Sequence, residues 1–437
     1  MENSIPNIGS REELSLRKTN FRWIGGGLVL FICFVAYIDR SALAVSAVPI
    51  MKSFHLSPVQ FGFVNTLFSI AYLLLQIPGA VLGEKVGARK IITAVMILWS
   101  IFTAMTGFAG GFITLAIARF LFGAAEAPLF PNAGGFITDW FPKRERARAF
   151  ALMSMGAFVA SLLAPPFFVA IVSRFGWQSS FYVCGAIGII AAIIWYQTVR
   201  STPEEHPRIS KSELQLITEN RFETEVVSSG NSHWKSFLRQ RSFWMMGIGG
   251  FSSIWLIQFF VFWLPYYLQA VRHLSFQKMG VYASFPWITA LIFMILAGFI
   301  SDWIIKRGAS RFWARNMINV IALAIAAIAL LLSNTATTAT GDVLWISLAI
   351  GMAGAVYTTT WSMVGDLGQK HAASVGSWVN MWGFTAGAIM PTLAPFIAER
   401  MGWSAVFVVN SGIAILGIFA FLLVKIDRPL KTDSETI

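Results

Sequence analysis

The chain has 437 residues, 56% of them hydrophobic and only 12% charged, with a mean hydropathy of +0.66. Soluble proteins carry about 25% charged residues, so a water-soluble globular protein is excluded. The two cysteines, Cys33 and Cys184, lie inside apolar runs and exclude a disulfide scaffold or a cysteine-rich metal site.

In chain order, residues 1–22 are polar and charged, with no small-residue cleavage pattern after a short apolar core, and predict a retained amino-terminal tail. Twelve apolar runs follow, long enough to cross a bilayer as helices. They start near Trp23, Phe61, Ile91, Phe112, Ala149, Trp177, Phe243, Val281, Met317, Val343, Ser374 and Ser404. Residues 200–241 form the one long polar interruption and separate a six-helix half at 23–199 from another at 242–425; residues 426–437 form a tail. Within this linker, Leu214, Leu216, Ile217 and Phe222 have amphipathic spacing and predict a short surface helix.

Lys and Arg sort these segments by side, because basic residues in short loops stay cytoplasmic. With both termini inside, 26 of the 33 lie in cytoplasmic segments and 5 on the other side, leaving Arg40 and Arg119 within spans. The net charge of +12 is therefore topological, and no nucleic-acid partner is expected. An internal repeat supports the plan. Gly79 to Lys90 (GAVLGEKVGARK) follows the second span, and Gly298 to Arg311 (GFISDWIIKRGASR) follows the eighth. The expected fold is all-α: a polytopic membrane protein of twelve transmembrane helices in two pseudo-symmetric six-helix halves, the major facilitator architecture.

Ionisable groups at membrane depth are costly and face the bundle interior or water. Four stand out, all in the first half: Asp39 and Arg40 in the first span, Arg119 and Glu126 in the fourth, with nothing comparable in the second half. Arg119 and Glu126 are seven residues apart, about two turns, and share one helix face. The plainer reading is a structural ion-pair cluster locking two helices together. The other is a hydrated pocket in which an acid takes up and releases a proton while an anion balances the charge, as a proton-coupled carrier requires.

The stretches YIDR (Tyr37 to Arg40), AYLLLQIPGA (Ala71 to Ala80), ARFLFGAAEAPLFP (Ala118 to Pro131), WFPKRERARA (Trp140 to Ala149), TTWSM (Thr359 to Met363) and SWVNMWG (Ser377 to Gly383) run through nearly the whole chain. In them the sequence resembles the anion:cation symporter branch of the major facilitator superfamily, which holds bacterial galactonate, glucarate and hexuronate carriers and animal vesicular and lysosomal organic-anion carriers. The resemblance implies that Asp39 and Glu126 are proton-coupling acids, with Arg119 controlling the protonation of one of them. It implies that Arg40 and Tyr72 contact substrate from the first half, and Trp361 and Asn380 from the second, with Thr358 where that family has a small hydroxyl. An Arg suits a carboxylate, and Tyr, Asn and Thr suit hydroxyls. One departure is Ala157, where those carriers have a glutamine; a smaller or less hydroxylated acid stays open.

No GxxxxGK[ST], HExxH or GxSxG occurs, and the five histidines fall in loops or at span ends, so an ATP-driven pump, a metalloprotease and a hydrolase are disfavoured. The expectation is a transporter and not an enzyme, monomeric, with no cofactor and no metal. It would import an organic anion, a hexonate, aldarate or hexuronate, with protons across a bacterial inner membrane. The alternatives are an exporter or exchanger of organic or aromatic acids, and a non-transporting nutrient sensor.

Overall fold

The computed structural model describes residues 19–218 and 232–430, and their regular structure is all helix, with no strand among them. Within a bilayer each backbone N–H and C=O must be satisfied inside the chain, and an apolar helix does this locally. The crossing rods are α1 (Phe21–Val45), α2 (Pro58–Val86), α3 (Ala88–Gly107), α4 (Phe112–Trp140), α5 (Lys143–Phe175), α6 (Trp177–Thr198), α7 (Arg241–Val271), α8 (Phe276–Lys306), α9 (Phe312–Ser333) and α10 (Ala339–Gly368). The last helix, Ala372–Leu423, has non-helical backbone at Gly402 and divides there into α11 (372–401) and α12 (403–423).

The two halves repeat in their backbone as well as in their motifs. Gly176 joins α5 to α6 at φ 81°, and Gly402 joins α11 to α12 at φ 80°; each is followed by Trp. Gly87 and Gly308 do the same between α2 and α3 and between α8 and α9, at φ 89° and 82°. Residues other than glycine rarely adopt this conformation, so the same reversal recurs where the sequence repeats. Inside the first half, helices approach closely where a side chain is missing: a β-carbon at Gly123 of α4 would collide with the Phe68 carbonyl of α2.

The halves meet at the end away from the 200–241 linker. There Thr66 of α2 donates to the Ala388 carbonyl of α11 at 2.8 Å and Ser284 of α8 donates to the Leu162 carbonyl of α5 at 2.7 Å. Gly62 lies against the Pro391 backbone so closely that a β-carbon would collide with its carbonyl oxygen. Gly62→Ala is therefore expected to wedge this end open. A core overlap costs about 1–3 kcal/mol, enough to shift a two-state ratio by roughly fivefold or more. The measurement is labelling of Ser284→Cys by an impermeant maleimide from that side; an unchanged rate would contradict the wedge.

The described parts of the linker pack against the helices. Its helix Lys211–Thr218 docks on the first half, where Arg22 of α1 bridges Glu145 of α5 at 2.7 Å and Glu213 at 3.0 Å. A second short helix, Ser232–Leu238, sets Phe237 against Phe243 of α7 and against His371. The expected surface helix is thus present over Lys211–Thr218, while Phe222 lies outside the described residues. His206 packs between Phe21 and Trp140, its Nε2 on the Thr198 carbonyl at 3.2 Å and its Nδ1 accepting from the Arg208 amide at 3.3 Å. Burial, with Arg200 and Arg208 nearby, holds its imidazole below the ordinary value. A folded-state value below the unfolded one, ~6.5, favours the docked linker above that pH and penalises it as pH falls through the folded value. The thermal midpoint of the purified protein should drop on acidification from neutrality, and His206→Gln should lose part of that drop; equal slopes would remove His206 from it.

One expectation is corrected. The second half does contain a fully buried charge, Asp342 at the start of α10. It accepts from Tyr267 at 2.8 Å and from Ser333, and pairs with Arg272 at 3.0 Å. Its position at a helix start reads as a loop acid, but the ends of α7 and α9 close over it. A buried carboxylate is tolerable there because both its oxygens are paired.

Candidate functional site

The intramembrane charges are built by helix geometry. On α1, Tyr37 and Arg40 are three residues apart and share a face, whereas Asp39 and Arg40 are adjacent and diverge by about 100°. Arg40 points toward α2 and α4. Its guanidinium pairs with Glu126 at 2.8 Å and 3.0 Å and lies 4.7 Å from the Tyr37 ring centre, 5.1 Å from Phe68 and 5.2 Å from Tyr72. Asp39 points the other way, toward α3 and α6. It accepts from Thr103 at 3.3 Å, with the Cys184 thiol also in hydrogen-bonding reach.

Arg119 stands between these two acids, over Phe122 at 4.4 Å and Phe68 at 5.1 Å, and its guanidinium nitrogens have no hydrogen-bond partner among the described residues. Asp39 is 1% exposed, Arg40 3%, Arg119 0% and Glu126 0%, so all four are buried, with Asp39 and Arg40 on different faces of α1. The reason is the angular offset of neighbouring helix positions together with a cover of aromatic rings.

That cover is the meeting point of the halves. Tyr72 stacks on Phe384 of α11 with centroids 4.2 Å apart, so the Arg40–Glu126 pair lies directly beneath an inter-half contact. The Tyr72 hydroxyl is buried against the Arg40 guanidinium. Asn380, one turn from Phe384, shares that face of α11. On α10, Trp361 is exposed and its ring meets Tyr357 at 6.2 Å. Tyr357 reaches across to Phe158 of α5 at 5.8 Å, its hydroxyl engaged by Ser154 and Trp361.

Thr358, one position on, turns away. Its hydroxyl bonds the Gly354 carbonyl at 3.4 Å and its methyl packs at Gly298 of α8. The structure thus brings Arg40, Glu126 and Tyr72 together, sets Asn380 and Trp361 on faces bordering them, and places Asp39 and Thr358 elsewhere. Tyr37, Tyr357 and Phe384 belong to this site, and the sequence reading passed over them. The available signal was spacing: Tyr37 lies three before Arg40, and Tyr357 four before Trp361. Among the described residues no cluster of three His, Cys, Asp or Glu could hold a metal.

Comparisons with known proteins agree with this architecture. The chain is 29% identical over 419 residues to a hexuronate transporter of Bacillus subtilis, covering 93% of this chain and 96% of that protein. It is 27% identical over 408 residues to a probable sulfoacetate transporter of Cupriavidus necator, covering 93% and 94%. Its fold superposes on an inward-facing, unoccupied crystal structure of a bacterial homologue of the human lysosomal transporter Spinster, with a TM-score of 0.75, 21% identity, and coverage of 94% and 99%. The Major Facilitator Superfamily model matches residues 29–391. With two repeated sets of six apolar rods meeting over a buried ion pair, and that model spanning most of both sets, the chain belongs to the major facilitator superfamily and is an integral membrane transporter rather than an enzyme.

Proposed function

We propose that the protein is a monomeric symporter that imports an organic anion with protons by alternating access. The halves 23–199 and 242–425 rock about the Arg40–Glu126 site. The observation that carries this reading is the buried Arg40–Glu126 pair under the Tyr72–Phe384 contact. A buried charge that loses its partner costs about 3–5 kcal/mol. A substrate carboxylate can therefore take Arg40 only as Glu126 is protonated, and Glu126 can stay protonated only while an anion neutralises Arg40. Both half-loaded states are penalised, while the empty ion pair and the fully loaded site are each balanced and free to move. Proton leak and uncoupled anion movement are suppressed by the same penalty.

Two relatives are named for organic anions, hexuronate and sulfoacetate; we assign this chain a sugar acid in the broad sense. Tyr72, Asn380 and Trp361 serve its body, and Asp39 with Arg119 forms the second proton site, Asp39 lying on the side of α1 that faces α3 and α6. Thr358 contributes by shaping α10 rather than through its hydroxyl. The Lys and Arg bias supports a cytoplasmic position for both termini, and the bacterial relatives favour an inner membrane. The test is uptake of labelled carboxylates into proteoliposomes with an imposed acid-outside gradient. Accumulation that collapses with a protonophore is the expected result; gradient-driven loss would make it an exporter, and binding without flux a sensor.

A further inference from the structure

Asp39 faces away from the seam between the halves, and α1 carries a second polar residue on that same side. The seam side is marked by a small gap lined by Ser41, Ala44 and Val45 of α1 with Phe260 and Leu264 of α7. Ser46, seven residues or about two turns beyond Asp39, returns to the side that bears Asp39. There α1 and the short helix after it, Ala47–Phe54, pack on α6. At one end of this packing the Cys184 thiol is in hydrogen-bonding reach of Asp39. At the other, Trp177 Nε1 donates to the exposed Ser53 hydroxyl at 3.2 Å. Ser46 on α1 and Ser180 on α6 lie between these two ends. The third wall is α3: Thr103 donates to Asp39 at 3.3 Å, and Thr106, about one turn further on, ends beside α6, where Tyr182 donates to the Gly107 carbonyl at 3.0 Å.

Asp39, Ser46, Thr103, Thr106, Ser180 and Cys184 are all buried, yet Asp39 Oδ1 and the hydroxyls of Ser46 and Ser180 have no hydrogen-bond partner among the described residues. Buried polar groups are almost always satisfied, by water where the protein does not supply the bond. A buried water needs two to four polar partners. Three such oxygens in one file, with the Thr106 hydroxyl beside them, supply partners for several waters. The residues between them, Ala42, Leu43 and Phe181, line the file with apolar groups.

We infer that waters held by Ser46, Ser180 and Thr106 form a proton path from the end away from the linker to Asp39, inside the first half behind α1 and apart from the substrate cavity. Each water accepts one proton and passes one on, and the last proton rests on the Asp39 carboxylate. This rests on the symporter reading and says how its second proton site is loaded. The halves are closed at that end, so Asp39 takes its proton from there before the seam opens. From α4, Arg119 and Glu126 face Asp39, while α3 and α6 bring Thr103 and Cys184 and α1 itself brings Arg40. Arg119 stands between the two acids, and its fixed positive charge bars the proton from running on to Glu126, as a cation lining a pore excludes protons.

The test combines the wild type with two variants. Radiolytic footprinting of the full-length protein forms hydroxyl radicals from bound water. Cys184 should be oxidised although it is 0% exposed, while Met96 of α3, 0% exposed in an apolar cluster, should be spared. In proteoliposomes, Ser46→Leu and Ser180→Leu fill the path, and each should lower uptake of labelled glucuronate under an acid-outside gradient by about tenfold to a hundredfold. Counterflow exchange needs no net proton entry and should keep the wild-type rate. Cys184 spared as Met96 is, or both leucine variants accumulating at the wild-type rate, overturns the path and leaves the carrier reading standing. Where the leucine variants lose exchange as well, the Cys184 footprint alone decides. A wild type that accumulates no glucuronate under the gradient sinks the symport reading and the proton role of the path together.

Discussion

Glu126→Gln should abolish gradient-driven accumulation while leaving counterflow exchange intact. The substitution keeps the shape of the side chain and removes its charge, so Arg40 is left permanently available to an anion. The bound state then forms without a proton, and its affinity should no longer depend on pH across the neutral range. The empty carrier suffers instead: it must reorient with a buried, unpaired guanidinium, at a cost of several kcal/mol. Net uptake, which needs that return step, falls by roughly a hundredfold or more at about 3 kcal/mol. Exchange, in which the site is loaded in both directions, avoids the step. Measuring both modes in the same proteoliposomes decides the matter, and uptake at the wild-type rate would take Glu126 out of coupling.

Arg40→Ala should weaken carboxylate binding more than any other single change in the site, by about 3 kcal/mol or roughly a hundredfold. The guanidinium is 3% exposed and is packed among the Tyr37, Phe68 and Tyr72 rings, so no water-borne cation can stand in for it. Misfolding is the competing explanation, because the variant strands Glu126. The double variant Arg40→Ala/Glu126→Gln answers it, since removing both charges restores a balanced interior. The expected pattern is a thermal midpoint recovered in the double variant with binding still absent. Wild-type affinity in either variant would defeat the carboxylate clamp.

The charged quartet was legible in the sequence because charges in apolar spans are rare enough to stand out, and the repeated Gly-acid-Gly-Arg loops gave the two-half plan. The divergence of Asp39 toward α3 and α6 and of Arg40 toward α2 and α4 was hidden for a simple reason: a pattern of residue types shows depth, while direction depends on the offset between Asp39 and Arg40 and on which helices arrive beside them. Asp342 escaped because its partners, Tyr267, Arg272 and Ser333, come from two other helices and make it a core residue only when all three converge. Tyr357 escaped because an aromatic in a membrane helix is ordinary, and its reach to Phe158 exists only once α10 of one half faces α5 of the other. The bridge from Arg22 to Glu145 and Glu213 was likewise invisible, being assembled from three segments far apart in the chain.

The close glycines fall into two groups with different evolutionary fates. Gly123 lies within one half, so a larger residue there damages a unit that never comes apart, and such changes would be purged for failing to fold. Gly62 lies on the seam between halves, where bulk leaves each half whole and alters only how long the transporter dwells in one posture. Natural variation and laboratory selection for faster or slower turnover should therefore find room at the seam and none inside the halves.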